Sequence, residues 1–256
     1  MQVIRSFLAA VSMYSKIPVP GFEWRETDGK YAFCFFPWIG ALIGGLIFGW
    51  NCLCDRYSIG ILARVALDMA IPLFITGGFH ADGFMDTMDA IHSYGAREKK
   101  LEILKDSHIG AFAVIMLAAY GLVYAGAFSE IRGQALLKTA CASFFLSRCL
   151  CGISAVSFPP ARKEGMLYRA ADRSSGNVVK VALYIQSAAC IFRMYLWSQT
   201  VGLIAGAAAG LTWIYYFRRG RREFGGITGD TAGYFVLLCE GCMLAVTACV
   251  SIGMGG

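Results

Sequence analysis

Long apolar runs separated by short polar segments dominate this chain. Spans of roughly 20 mostly apolar residues recur along it. We read seven: Tyr31–Leu53, Ile59–Phe79, Ile109–Phe128, Ala135–Phe158, Val178–Trp197, Thr200–Phe217 and Thr231–Gly253. The third is free of charge, whereas the second holds Arg64 and Asp68, the fourth Lys138 and Arg148, and the fifth Lys180 and Arg193. Only Ser198 and Gln199 divide the fifth from the sixth, which predicts a tight hairpin. Membrane strands alternate apolar and polar residues over about 10 positions, and these runs are uniformly apolar and longer. The pattern predicts an all-α polytopic transmembrane bundle of about seven spans, with 1–256 forming one integral membrane domain. Ahead of the first span, Val3–Met13 is too short to cross a bilayer and lacks a small-residue cleavage site. Segment 1–20 reads as an amphipathic helix on the membrane surface, ended by Pro18 and Pro20.

Composition agrees: 57% of residues are hydrophobic and 16% charged, and the mean hydropathy is +0.57. Soluble domains carry about 25% charged residues. Charge placement adds a topology. From the N-terminal arm through successive loops to the C-terminal tail, Lys and Arg number four, one, four, one, four, zero, four and zero. Basic residues gather on cytoplasmic loops, so the N-terminus and every polar, motif-bearing loop are predicted to be cytoplasmic, in a multi-pass protein of the cell (inner) membrane. Anionic lipid and an anionic substrate account for the net charge of +6, and no nucleic-acid partner is needed. The ten cysteines lie almost wholly inside apolar spans, and Cys239-Glu-Gly-Cys242 has no second pair to complete a zinc site. They read as small apolar fillers.

The densest polar cluster is Thr76-Gly-Gly-Phe-His80-Ala-Asp82-Gly-Phe-Met-Asp86-Thr-Met-Asp89. If helical, Asp82, Asp86 and Asp89 share one face. Such hard oxygen ligands suit Mg²⁺ or Mn²⁺, which also bind substrate phosphates. Segment 80–108 therefore reads as a cytoplasmic metal-binding loop, with His80 as a base or orienting donor. The competing reading pairs the three acids with Arg97, Lys99 and Lys100. An amphipathic stretch follows, which brings Lys105 and Asp106 near the cluster. The Pro-Pro turn before Arg162 and Lys163 offers adjacent cations for phosphate. In Gly225-Gly226-Ile-Thr228-Gly229-Asp230, glycines let backbone N–H groups approach a phosphate, and Thr228 and Asp230 add polar contacts. The next span carries Glu240. The order of a P-loop is absent.

The strings KIPVP, FFPWIGALIGG, TGGFHADGFMDTMDA, LEILKDSHIGAF, PARKEG and GGITGD, running from Lys16 nearly to Glu240, resemble the cobalamin synthase family. Three positions depart from its pattern: His108 stands for Arg, Ala90 for Gly, and Leu237 for a second acid. The resemblance implies a ribazoletransferase. The ribose hydroxyl of α-ribazole, or of its 5′-phosphate, attacks the phosphorus next to the corrinoid in adenosylcobinamide-GDP, and GMP leaves. It implies Mg²⁺ on Asp82, Asp86 and Asp89, and a cluster aspartate or His80 as proton acceptor. Lys105, Asp106, Arg162, Lys163, Gly225, Gly226, Thr228, Asp230 and Glu240 become the candidate substrate contacts. Two other functions stand beside it. A CDP-alcohol phosphotransferase uses clustered aspartates, but its motif fails where Asp86-Thr87 replace Ala-Arg. An ion-coupled transporter would use Arg64, Asp68, Arg148 and Glu240, yet no inverted repeat is visible. The Gly-rich run from Gly40 to Gly49 suits close packing within the chain or between copies in a homo-oligomer.

Overall fold

The computed structural model describes residues 2–19, 21, 23 and 25–254. Among them the chain is helical, in the order α1 (Gln2–Tyr14), a 3-10 turn (Glu26–Tyr31), α2 (Ala32–Tyr57), α3 (Ile61–Thr76), α4 (Phe79–His92), α5 (Arg97–Ile103), α6 (Ala111–Glu130), α7 (Gln134–Ser157), α8 (Met166–Asp172), α9 (Gly176–Trp197), α10 (Gln199–Phe224) and α11 (Gly229–Met254). Six helices, α2, α6, α7, α9, α10 and α11, are long and apolar enough to cross a membrane. The bent pair α3–α4 makes a seventh where it is counted as one span. The fold is the all-α membrane bundle read from the apolar runs.

The second span departs most from expectation. Gly77 and Gly78 adopt positive φ (70° and 80°), a conformation that glycine takes at no steric cost. The chain turns by 95° there before the helix resumes. Segment 80–108, expected as a loop, holds two helices: α4 packs on α6 and α11, and α5 is tied to α10 by the buried Lys100–Glu223 pair. α10 also runs to Phe224, past the expected end at Phe217. Arg221 and Arg222 occupy its last turn, where cations favour the C-terminal dipole. Gly225 then closes the helix with φ 79°. The hairpin between α9 and α10 is the single residue Ser198.

α7 is the most enclosed helix and packs on α2, α9 and α11. Gly40 and Gly44 let α2 lie directly on its backbone at Phe144 and Cys141. Part of the Gly-rich run thus serves packing within the chain. α1 lays Ser6, Ala9, Ala10 and Tyr14 inward and leaves Val3, Ile4 and Phe7 exposed. Pro20, one of the two prolines expected to end that segment, lies outside the described residues. All ten cysteines are free.

Candidate functional site

One helix crossing builds the site. A Cβ on Gly83 of α4 would stand 2.7 Å from the Asp230 carbonyl oxygen, and one on Gly233 of α11 would stand 3.0 Å from the His80 carbonyl. Only glycine lets the two backbones touch here, and that contact sets Asp230 beside the aspartate face of α4. Helical rotation of about 100° per residue groups Asp82, Asp86 and Asp89 on one side and turns His80 to the other. Asp86 accordingly lies in the electrostatic reach of Asp82, Asp230 and Asp89.

Asp230 is placed from its other side by a short backbone tie. The Ala161 N–H donates to the Ile227 carbonyl at 2.9 Å, and the Ile227 N–H donates to the Pro159 carbonyl at 3.0 Å. Gly226 permits this, since a Cβ there would meet the Ala161 nitrogen at 2.6 Å. The tie joins the Pro-Pro turn to the start of α11 and holds Arg162 Nη2 at 3.4 Å from Asp230 Oδ2. Arg162 Nη1 is buried with no partner among the described residues. A cavity of about 540 Å³ opens beside this pair, lined in part by Phe158, Tyr168 and Thr228.

The four acids differ in what satisfies them. Asp89 accepts from the Gly110 N–H at 2.7 Å and from the Ala113 N–H at 2.8 Å. It caps the N-terminus of α6, where unpaired N–H groups and the helix dipole favour a carboxylate. The Asp82 and Asp86 side chains make no hydrogen bond or ion pair among the described residues. The basic residues that might have neutralised them are engaged elsewhere: Lys99 with Glu102, Lys100 with Glu223, and Arg97 across Gly225. Among the described residues no three His, Cys, Asp or Glu side chains converge closely enough to hold a metal ion.

A family model described as cobalamin-5-phosphate synthase matches residues 6–248. The chain belongs to the cobalamin-5-phosphate synthase family. It is 40% identical over 94% of its length to an adenosylcobinamide-GDP ribazoletransferase of Lachnoclostridium phytofermentans, of which 92% is covered. A protein of the same name from Clostridium perfringens is 31% identical over 90% of this chain and 92% of its own. One from Desulfitobacterium hafniense is 29% identical over 94% and 95%. No solved structure matches the chain.

The remaining candidates of this synthase-family chain fall into two groups. Near the cluster, exposed Lys105 pairs with Glu164 and so meets the Pro-Pro turn, and Lys163 is exposed on that turn. The Lys105 ammonium holds the Glu164 carboxyl below the usual carboxylate range. Asp106 is likewise held low, by the backbone N–H and ring of His108, with its Oδ1 2.6 Å from His108 Nδ1. Thr228 is the cap of α11: its Oγ1 accepts from the Thr231 N–H at 3.2 Å, while Thr231 Oγ1 accepts from the Thr228 N–H at 2.8 Å. Gly225 and Gly226 are spent on close packing, against Arg97 and against Pro159–Ala161.

Away from the cluster, His80 is buried beside Phe79 and Phe36. Glu240 lies ten residues, or about 15 Å of helix, beyond Asp230. It is buried against Arg148 Nη1 and Ser147. Sequence reasoning had not paired Arg148 with Glu240, although two ionisable residues inside apolar spans are the usual sign of such a partnership. Nor did it find the Asn51–Asp68 hydrogen bond at 2.7 Å. Arg64 pairs with Asp55 instead, so the intramembrane charges form separate clusters.

Proposed function

We propose that this chain is an adenosylcobinamide-GDP ribazoletransferase. It joins α-ribazole, or its 5′-phosphate, to the corrinoid half of adenosylcobinamide-GDP and releases GMP, which assembles the nucleotide loop of cobalamin. The observation that carries the site is the uncompensated pair Asp82 and Asp86, crowded by Asp230 and set beside an Arg162 that still has a free donor. Carboxylates in this density call for a cation. A pyrophosphate calls for a cation and an arginine together.

Asp82 is exposed and Asp86 and Asp230 half-buried; all three are hard oxygen donors, and the carboxylates of the first two are held by no hydrogen bond. They fit Mg²⁺ and can draw together once like charge is neutralised. Bound there, Mg²⁺ would neutralise the pyrophosphate and stabilise the leaving GMP. Asp89 drops out of the ligand set, because its two oxygens already cap α6. Arg162 exchanges its long contact with Asp230 for substrate oxygens, and Lys163 and Lys105 stand on the same rim. The adjoining cavity takes the nucleoside end of a substrate. His80, turned away among aromatic rings, leaves the hydroxyl proton to an aspartate of the cluster. The motif-bearing end of the bundle faces the cytoplasm, in keeping with the basic residues gathered there.

The test is GMP release by purified, detergent-solubilised protein given adenosylcobinamide-GDP and α-ribazole, with and without Mg²⁺, alongside Asp82→Ala. Release that needs both the metal and Asp82 is expected. Folded protein that releases no GMP with any divalent metal would refute the assignment.

A further inference from the structure

At the end of the bundle remote from the aspartates, a groove of about 570 Å³ opens between α2 and α9, with α7 as its floor. Ala142 on the floor and Gly45 and Ala189 on the flanking helices are small and leave the groove open, and Trp38, Phe48 and Trp197 line its sides. From Trp38 to Phe48, α2 rises about 15 Å, which is half of a hydrocarbon core about 30 Å thick. The groove thus matches the depth of one leaflet.

Two cations stand at its outer end. Lys138 Nζ lies 5.5 Å from the Phe48 ring centroid, and Arg193 Cζ lies 5.2 Å from that of Trp197. Neither has a carboxylate partner among the described residues. Arg64 and Arg132, at the same end, are each paired, with Asp55 and Glu130. Two unmatched cations are costly in apolar surroundings unless an anion meets them. They also run against a charge pattern that leaves one basic residue or none in each loop on this side.

We propose that this groove binds one anionic phospholipid, with an acyl chain along α7 and its phosphate between Lys138 and Arg193. A second copy of the chain fits poorly, because a two-fold contact through the groove sets the same cations against each other.

Native mass spectrometry of the full-length protein, exchanged from detergent into phosphatidylglycerol or phosphatidylcholine, tests this. We expect one retained phosphatidylglycerol per chain, with a preference of about 10–30-fold, as two cations facing one phosphate give. Lys138→Gln/Arg193→Gln should abolish the preference, while Arg56→Gln/Arg132→Gln at the same end keeps it. Gly45→Leu, which fills open space in the groove, should block retention with both cations intact, so the outcome does not rest on the double variant folding. Equal binding of the two lipids, equal loss in the control pair, displacement by millimolar inorganic phosphate, or a dimer that forms through the groove would each overturn the proposal.

Discussion

Three aspartates on one face of α4 sit in two different environments. Asp82 and Asp86 face each other and Asp230 without compensation, whereas Asp89 spends both oxygens on backbone N–H groups of α6. Removing Asp86 relieves repulsion, and removing Asp89 uncaps a helix. Asp86→Asn should therefore leave the melting temperature unchanged or raised while lowering kcat/KM by about 10²-fold or more. Asp89→Ala should cost about 1–2 kcal/mol of stability, with Mg²⁺ affinity nearly intact. Denaturant titration combined with Mn²⁺ binding separates the two, and a reversed pattern would return Asp89 to the metal. The Arg148–Glu240 pair is a second residue-scale case. Leaving one buried charge alone costs about 3–5 kcal/mol, whereas an apolar replacement of both is often neutral. Glu240→Ala should unfold much more readily than Arg148→Met/Glu240→Leu, as thermal melts of the detergent-solubilised protein would record. A double variant no better than the single one would argue that the pair does more than satisfy itself.

At the scale of elements, the site exists because α4 is allowed to touch α11. Gly83→Ala brings a methyl within 2.7 Å of a carbonyl oxygen that cannot move without α11. It should cost about 1–3 kcal/mol as overpacking and lower kcat more than KM, since the aspartates separate while the phosphate-binding rim stays whole. An unchanged kcat would show that the crossing has slack. This contact also marks where sequence reasoning runs out. Helical spacing predicted a common face for Asp82, Asp86 and Asp89, because periodicity is a local property. It could not show that Asp230, far along the chain, completes the face, nor that Asp89 meets α6. Those are tertiary contacts, and the only sign of them in the sequence was glycine at 83 and 233. Nor does the sequence show that Gly225 and Gly226 pack closely against Arg97 and Pro159–Ala161, since that backbone tie has no local signature. The apolar runs, by contrast, located six spanning helices and the broken pair, because lipid imposes its own length on a helix. The 95° turn at Gly77–Gly78 falls where the second apolar run ends, and apolarity carries no sign that a helix resumes beyond it at an angle.

At the scale of the whole molecule, polarity along the bundle axis ties the parts together. The acid cluster, Arg162, Lys163 and the basic end of α10 sit at one end, and the short connections at Gly133 and Ser198 at the other. In the proposed reading, substrate and metal ion are met at the first end, and Lys138 and Arg193 mark the second for lipid. This division requires that each side keep its own face of the membrane. Alkaline phosphatase, which matures only outside the cytoplasm, should be active when fused after Gly133 or Ser198 and inactive when fused after Gly165. Activity after Gly165 would put the aspartates outside, where the basic loops would oppose the usual charge bias. The substrate-facing end would then have to be sought on the other side, since a nucleotide-linked substrate does not cross apolar helices unaided. The orientation thus constrains the chemistry as firmly as the side chains do. It places the acid cluster, Arg162 and the groove in one topology, and a single set of fusions tests that topology.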